Sequence, residues 1–386
     1  MNRKQFFYLL AVLLVIGGVS LAVLWQRSSS WTGKGKGDGR VLGKFDLNEV
    51  TSVVIRDASS SLTLAKKNDA WVVRERDDYP ADFACVGGFI QGLWQLKPVQ
   101  EVEAGPSQLP RLDLLPPAKG EAHSATLVEL QGKDAKPLAA LLVGKKFLKK
   151  SPGFPDDEGG VAGRYVLPVG KSGVSLVSER LEGAEVKPAA WLDKTFLRID
   201  RIQSVTVASG STTLKFLRDS DTAGDWQLDG LKPEEKLDPA KLPSFVSMFN
   251  APAFADVKPA NAPREGFNST ATVTTFDGFT YVLSFGPAEG ENVPLAIAVS
   301  AQFPKERTPG KDEKPEDKKR LDDEFATKTK KLGEDLAKAK QTEARVYLVT
   351  KATYDALWKP REEFMQKAQP APTPEAAPVP PVPPVP

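Results

Sequence analysis

Reactive side chains are scarce in this sequence. Its 386 residues include one cysteine, Cys85, and one histidine, His123. An internal disulfide needs two thiols, and a Cys/His zinc site or a multi-histidine metal centre needs more ligands than the chain holds. Net charge is scarce too: 52 Lys and Arg against 50 Asp and Glu leave a formal +2. No global field draws such a chain to nucleic acid, and no nucleic-acid partner is expected. His123 precedes an extended stretch and has no Ser or Asp at catalytic-motif spacing. Cys85 falls in an apolar helical pattern and reads as a small buried hydrophobe. Gly170-Lys171-Ser172 resembles the end of a phosphate-binding loop, but Tyr165 stands where the pattern requires glycine. Asp156, Asp157 and Glu158 read as a polar turn, because they lack the alternating oxygen ligands of a calcium loop. Two carboxylates brought together by the fold could still form an acid/base pair, but no spacing points to which two. The expectation is a non-enzymatic chain with no catalytic, cofactor or metal site.

What the chain does have begins with an uncharged apolar run over residues 6–25, from Phe6 to Trp25. At about 1.5 Å per helical residue it is long enough to cross a hydrocarbon core of roughly 30 Å. A transmembrane anchor over 1–27 is therefore expected, with the N-terminus inside and the rest of the chain outside. Gly18 and Ala22 form a small-xxx-small pair that would let two such helices approach closely. Residues 28–44 are rich in Ser, Gly and Lys without periodicity and read as a flexible linker.

Beyond the linker the chain repeats itself. LNEVTSVVI at Leu47 is answered by IDRIQSVTV at Ile199, and SLTLAKK at Ser61 by TLKFLRD at Thr213. Val53, Ile55, Leu62 and Leu64 correspond to Val205, Val207, Leu214 and Phe216, the alternation of a half-buried antiparallel sheet. Each copy continues with a helical apolar series: Phe83, Val86, Phe89, Ile90 and Leu93 in the first, Leu242, Phe245 and Phe249 in the second. Next, ATLVELQG at Ala125 aligns with ATVTTFDG at Ala271, and LLVG ending at Gly144 with LSFG ending at Gly286. Two hairpin strands close each copy. The fold class expected is α+β: an N-terminal transmembrane helix, then two tandem repeats (45–195 and 196–366) of a mainly antiparallel β-sheet module with one packed helix each.

The second copy carries an insertion, 301–344, rich in both charge signs. Pro315 followed by Glu316 and Asp317 suits a helix start, which predicts a helix to about Gln341. Leu321, Phe325, Leu332 and Leu336 lie near one face of it, a narrow stripe suited to a protein partner. The tail, 367–386, is proline-rich and predicts an extended polyproline rod.

LDLLPP at Leu112, then ATLVELQG, LLVGKK, GRYVLPVG and VSLVSERL, resembles a bacterial membrane-anchored family, domain of unknown function 4340. The resemblance covers about 45–181 and 196–357. It implies a single-pass protein of the bacterial inner membrane with its C-terminal domains in the periplasm, and no catalytic residues to carry over. It also implies a place beside ABC-type transporter components linked to gliding motility. The function expected is that of a protein-binding accessory or scaffold working with other envelope proteins. A cell-wall-associated spacer and an envelope hydrolase using paired carboxylates are the alternatives.

Overall fold

The computed structural model describes residues 39–149, 160–221, 226–250, 252–259, 261–309 and 313–366. The apolar run with Gly18 and Ala22, the Asp156–Glu158 turn and the proline-rich tail lie outside the described residues. Among the described residues, no helix is long and apolar enough to cross a membrane. The chain divides into two compact units, Met1–Asp193 and Lys194–Pro386. The architecture is α+β, with two antiparallel sheets and few helices.

Unit 1 opens on a meander of β1 (Ser52–Arg56), β2 (Ser61–Lys67) and β3 (Ala70–Val73). The first turn closes because Asp57 Oδ1 accepts from the backbone N–H groups of Ser59 and Ser60, at 2.8 and 2.7 Å. In the second, Asn68 and Asp69 both take positive φ, the twist-matched hairpin geometry that these residue types tolerate best. The short β4 (Tyr79–Pro80) leads into α1 (Phe83–Gln95). Asp82 caps α1 by accepting from the Cys85 N–H at 3.0 Å. Val86, Ile90 and Leu93 bury its inner stripe. Cys85, expected inside, is exposed. It sits about 100° round the helix from Val86, off the inner stripe. The last residues before the sheet are also fixed: Arg40 lies over the Trp94 ring at 3.5 Å, and Val41 is buried.

The remaining strands are β5 (Gln100–Val102), β6 (Thr126–Gln131), β7 (Pro137–Lys149), β8 (Gly160–Pro168) and β9 (Val174–Val177). The sheet order is β4-β3-β2-β1-β6-β7-β8-β9-β5. Val53, Ile55, Leu64, Leu130 and Leu141 are buried completely or nearly so. A second cluster, built on Leu114, Ala125, Leu142, Leu167 and Val174, fixes the segment after β5 to the sheet.

Unit 2 runs β10 (Ile202–Ser209), β11 (Thr212–Leu217), β12 (Gln227–Leu228), α2 (Leu242–Ser247), β13 (Phe254–Lys258), β14 (Ser269–Thr275), β15 (Phe279–Phe285), β16 (Asn292–Ala301), α3 (Pro315–Lys340), β17 (Val346–Thr350) and α4 (Lys351–Leu357). Its sheet order, β12-β11-β10-β14-β15-β16-β17-β13, is that of unit 1 without β4. The central register matches as well. Val53 pairs with Leu64 and Leu130; its counterpart Val205 pairs with Phe216 and Val273.

That register corrects one alignment. Matching ATLVELQG to ATVTTFDG makes Leu130 equivalent to Phe276, whereas the pairing makes it equivalent to Val273, three positions away. An odd shift exchanges the two faces of a strand. The turn glycines mislead: Gly132 follows its strand directly, while Gly278 lies across the turn at φ +83°. The LLVG and LSFG match holds, since Val143 faces Thr126 as Phe285 faces Ser269.

Candidate functional site

The feature of unit 1 with most chemistry is a groove of about 580 Å3 where β7 meets the segment before β6. The β7–β8 pairing shifts register between Val143 and Lys146, a bulge that redirects Lys145 and Lys146 at the strand's midpoint. Gly144 is needed in the bulge, because a Cβ there would come within 2.4 Å of the Leu112 carbonyl oxygen. On the other side, the 3-10 turn Pro106–Leu112 delivers Asp113 at φ +51°, and His123 follows at φ +67°. Left-handed backbone at two non-glycine residues costs free energy and persists only where the surroundings impose it. Here it brings Asp113 Oδ1 to 3.0 Å from His123 Nδ1.

Arg164, on β8, forms the wall beyond Lys146. Its side chain is half-buried, and its buried Nε–H has no hydrogen-bond partner. An orphaned buried donor costs about 1–3 kcal/mol. Burial pushes the guanidinium below its ordinary range, with Glu185 and Glu182 partly offsetting that. Glu185 offsets the groove's charge only in part, through Lys146. Its carboxylate is taken by Lys187 at 2.7 Å and by Lys146 at 3.4 Å, and the Lys187 hydrogen bond is the main reason its pKa is lowered. Among the described residues, Lys145, Lys146 and Arg164 face Asp113 as the one acid of the lining. The arrangement suits an anion. His123 is 63% exposed, and among the described residues its ring is hydrogen-bonded to Asp113 and to no hydroxyl or thiol, so it lacks the partner an activated nucleophile would supply.

In unit 2, α3 has the bounds its sequence predicts. Its only half-buried positions are Asp317, Leu321, Phe325, Thr329, Leu332, Leu336 and Ala339, so all four stripe residues lie on one partly covered face. The helix packs along β16. Ion pairs hold it: Lys328 to Asp277 at 3.5 Å, and Asp322 to Arg307 at 2.8 Å, where Arg307 also grips Glu313 with both amino groups. Burial, aided by Asp335 on α3 and by Asp200, pushes the Tyr281 phenol up. A second depression is lined by Glu316, Arg320, Asp323, Lys328 and Lys331, all residues of this one helix, and encloses nothing.

Sequence reasoning missed the groove. Asp113 and His123 are ten positions apart, and the backbone bridge between Leu115 and Ser124 closes that distance. LDLLPP was a visible signal of a turn there, but not of its partner. Lys171, in the failed phosphate-loop pattern, instead donates to the Val41 carbonyl at 3.2 Å. Among the described residues no group of three or more His, Cys, Asp or Glu could hold a metal ion.

The family profile described as domain of unknown function (DUF4340) matches residues 71–269, just over half of the chain. The chain belongs to this family. The DUF4340 match starts in β3 and ends at the start of β14, so it takes in the groove and the first strands of the second sheet. No curated protein and no solved structure matches the chain. Membership in DUF4340 thus assigns the chain to a lineage and brings no reaction with it.

Proposed function

We propose that this chain is a non-enzymatic protein-binding accessory or scaffold of the bacterial envelope. In this reading residues 6–25 anchor it in the inner membrane, both units are periplasmic, and its partners are envelope proteins, including components of an ABC-type transporter. One observation supports the reading most: two sheets with the same strand order differ chiefly in elements that present surface. Unit 1 extends the β7–β8 hairpin beyond its neighbours, with Leu148 51% exposed, and unit 2 lays a 26-residue helix over its sheet. A duplicated framework with divergent outer elements suits partner recognition through those elements. The Leu321, Phe325, Leu332 and Leu336 stripe is part of the proposal, since none of these residues is fully buried by its own unit.

Co-purification from membranes, with the intact chain and with residues 309–342 replaced by a short linker, tests this reading. Loss of specific transporter components from the shortened protein is expected. An identical partner set would remove α3 from the proposal, and recovery of no membrane protein with either form would overturn it.

A further inference from the structure

We infer that the groove at the β7 bulge is a binding site for a carboxylate-bearing ligand. Lys145, Lys146 and Arg164 line it against Asp113, the one acid of the lining among the described residues; Asp113 engages His123, and Glu185 outside the lining is shared by Lys146 and Lys187. The lining is thus short of negative charge. Arg164 is the decisive residue. Arg164 is half-buried and lines the groove, and a carboxylate is the group whose two oxygens match the terminal amino groups of a guanidinium. Glu185 attracts Arg164 but is held by Lys146 and Lys187, and among the described residues no hydrogen bond joins it to Arg164. A volume of about 580 Å3 lies within the range of small-ligand sites and is large enough for a short dicarboxylate or a few residues of an acidic peptide. The backbone has been forced into place around it: left-handed Asp113 and His123 on one side, and a bulge on the other that only glycine permits at position 144. The duplicate provides a control. At the matching position in unit 2, Gly286 is followed by Pro287, with no lysine pair and no register shift in the β15–β16 ladder. The groove was built after the duplication or lost from one copy. In either case it is not a by-product of the shared strand order. This inference goes beyond the scaffold reading and stands on the groove alone.

His123 is the sole histidine and lines the groove, so histidine labelling gives one magnetic resonance signal at the site. Full-length protein in neutral detergent, free of any histidine tag, is titrated with glutarate, with a glutamate hexapeptide and with a glutamine hexapeptide. Saturable movement of the His123 signal with a carboxylate probe, weakened by added salt, is the expected result. Saturation by glutarate identifies a free dicarboxylate as sufficient; saturation by the glutamate peptide alone identifies an acidic segment. Arg164→Gln should weaken binding by about tenfold or more, the scale of a lost charged hydrogen-bond pair. Arg164→Lys, which keeps the charge without the fork, should fall between. Lys331→Gln on α3 should change nothing. Lys145→Gln and Lys146→Gln provide the same reading should Arg164→Gln not fold. No signal movement with any probe to about 10 mM, equal response to the glutamine peptide, or unchanged affinity in the groove variants would overturn the inference.

Discussion

The two units place the same strands in the same order but fill them differently. Around the shared pairs, unit 1 uses aliphatic side chains, with Leu64 opposite Val53. Unit 2 puts Phe216 in that position and surrounds it with Phe245 and Phe364, at ring separations of 5.0 and 4.9 Å. Farther along the sheet the contrast grows. Ala139 of β7, opposite Leu130, corresponds to Tyr281 of β15, opposite Val273, and the Tyr281 phenol feels Asp335 of α3. The larger side chain belongs to the copy that carries the insertion, and unit 1 has alanine in its place. The comparison shows which property of the module is constrained. Cross-strand register survives a change from aliphatic to aromatic core, because alternation and turn geometry specify it, whereas side-chain volume adjusts to what each copy carries.

Truncating the matched core positions tests that contrast most severely. Phe216→Ala should cost unit 2 about 4 kcal/mol, and Leu64→Ala should cost unit 1 about 3 kcal/mol. Hydrogen exchange followed separately in β2 and β11 should show each loss confined to its own sheet; loosening of both sheets by either substitution would break the picture of separate cores. The matched glycines should differ next. A Cβ on Gly144 meets the fixed Leu112 carbonyl, whereas one on Gly286 meets the Phe267 ring, at 2.7 Å, which can move aside. Gly144→Ala should therefore destabilise its unit by about 2–3 kcal/mol and Gly286→Ala by under about 1, read from denaturant midpoints.

The helices offer a smaller contrast. Asp82 caps α1, while α2 has no side-chain cap. Asp82→Ala should cost unit 1 about 1 kcal/mol. The Cys85 N–H holds the Asp82 carboxyl below its ordinary value, with burial opposing. Its contribution is thus complete above the unfolded carboxylate value of about 3.9 and is lost as pH falls through the folded one. Acid titration of α1 amide protection should show this loss in the parent and not in Asp82→Ala. Least in size and opposite in sign is Gly88→Ala. No atom lies within 4 Å of a Cβ built there, so the change should stabilise unit 1 by up to about 1 kcal/mol, seen as a higher melting temperature.

Much of this fold was legible because the sheet depends on period-2 alternation and repeats it: Val53 and Val205 could be matched without coordinates. The start of α3 was legible from Pro315 and the acids that follow. Three things were not. Matching Gly132 to Gly278 slipped one strand by three residues, since similar turn residues sit at different points of their hairpins. Cys85 was placed inside because an apolar pattern of this kind gives the helix but not which side of it a small residue occupies. The Asp113–His123 pair depends on two left-handed residues and the Leu115–Ser124 bridge, and the orphaned Arg164 donor lies beside a bulge, none of which local periodicity records.

The cap of α1 has a chemical consequence for the chain's lone thiol. Partial desolvation of the sulfur first, then the adjacent Asp82 carboxylate, raise the pKa of the otherwise exposed Cys85, against the usual tendency of a helix start to favour thiolate. Thiol–disulfide exchange proceeds through the thiolate, so the carboxylate that steadies the helix also slows coupling of one molecule to another through sulfur. For a protein with no second cysteine to compete for the bond, part of that protection against unwanted cross-linking comes from the cap itself.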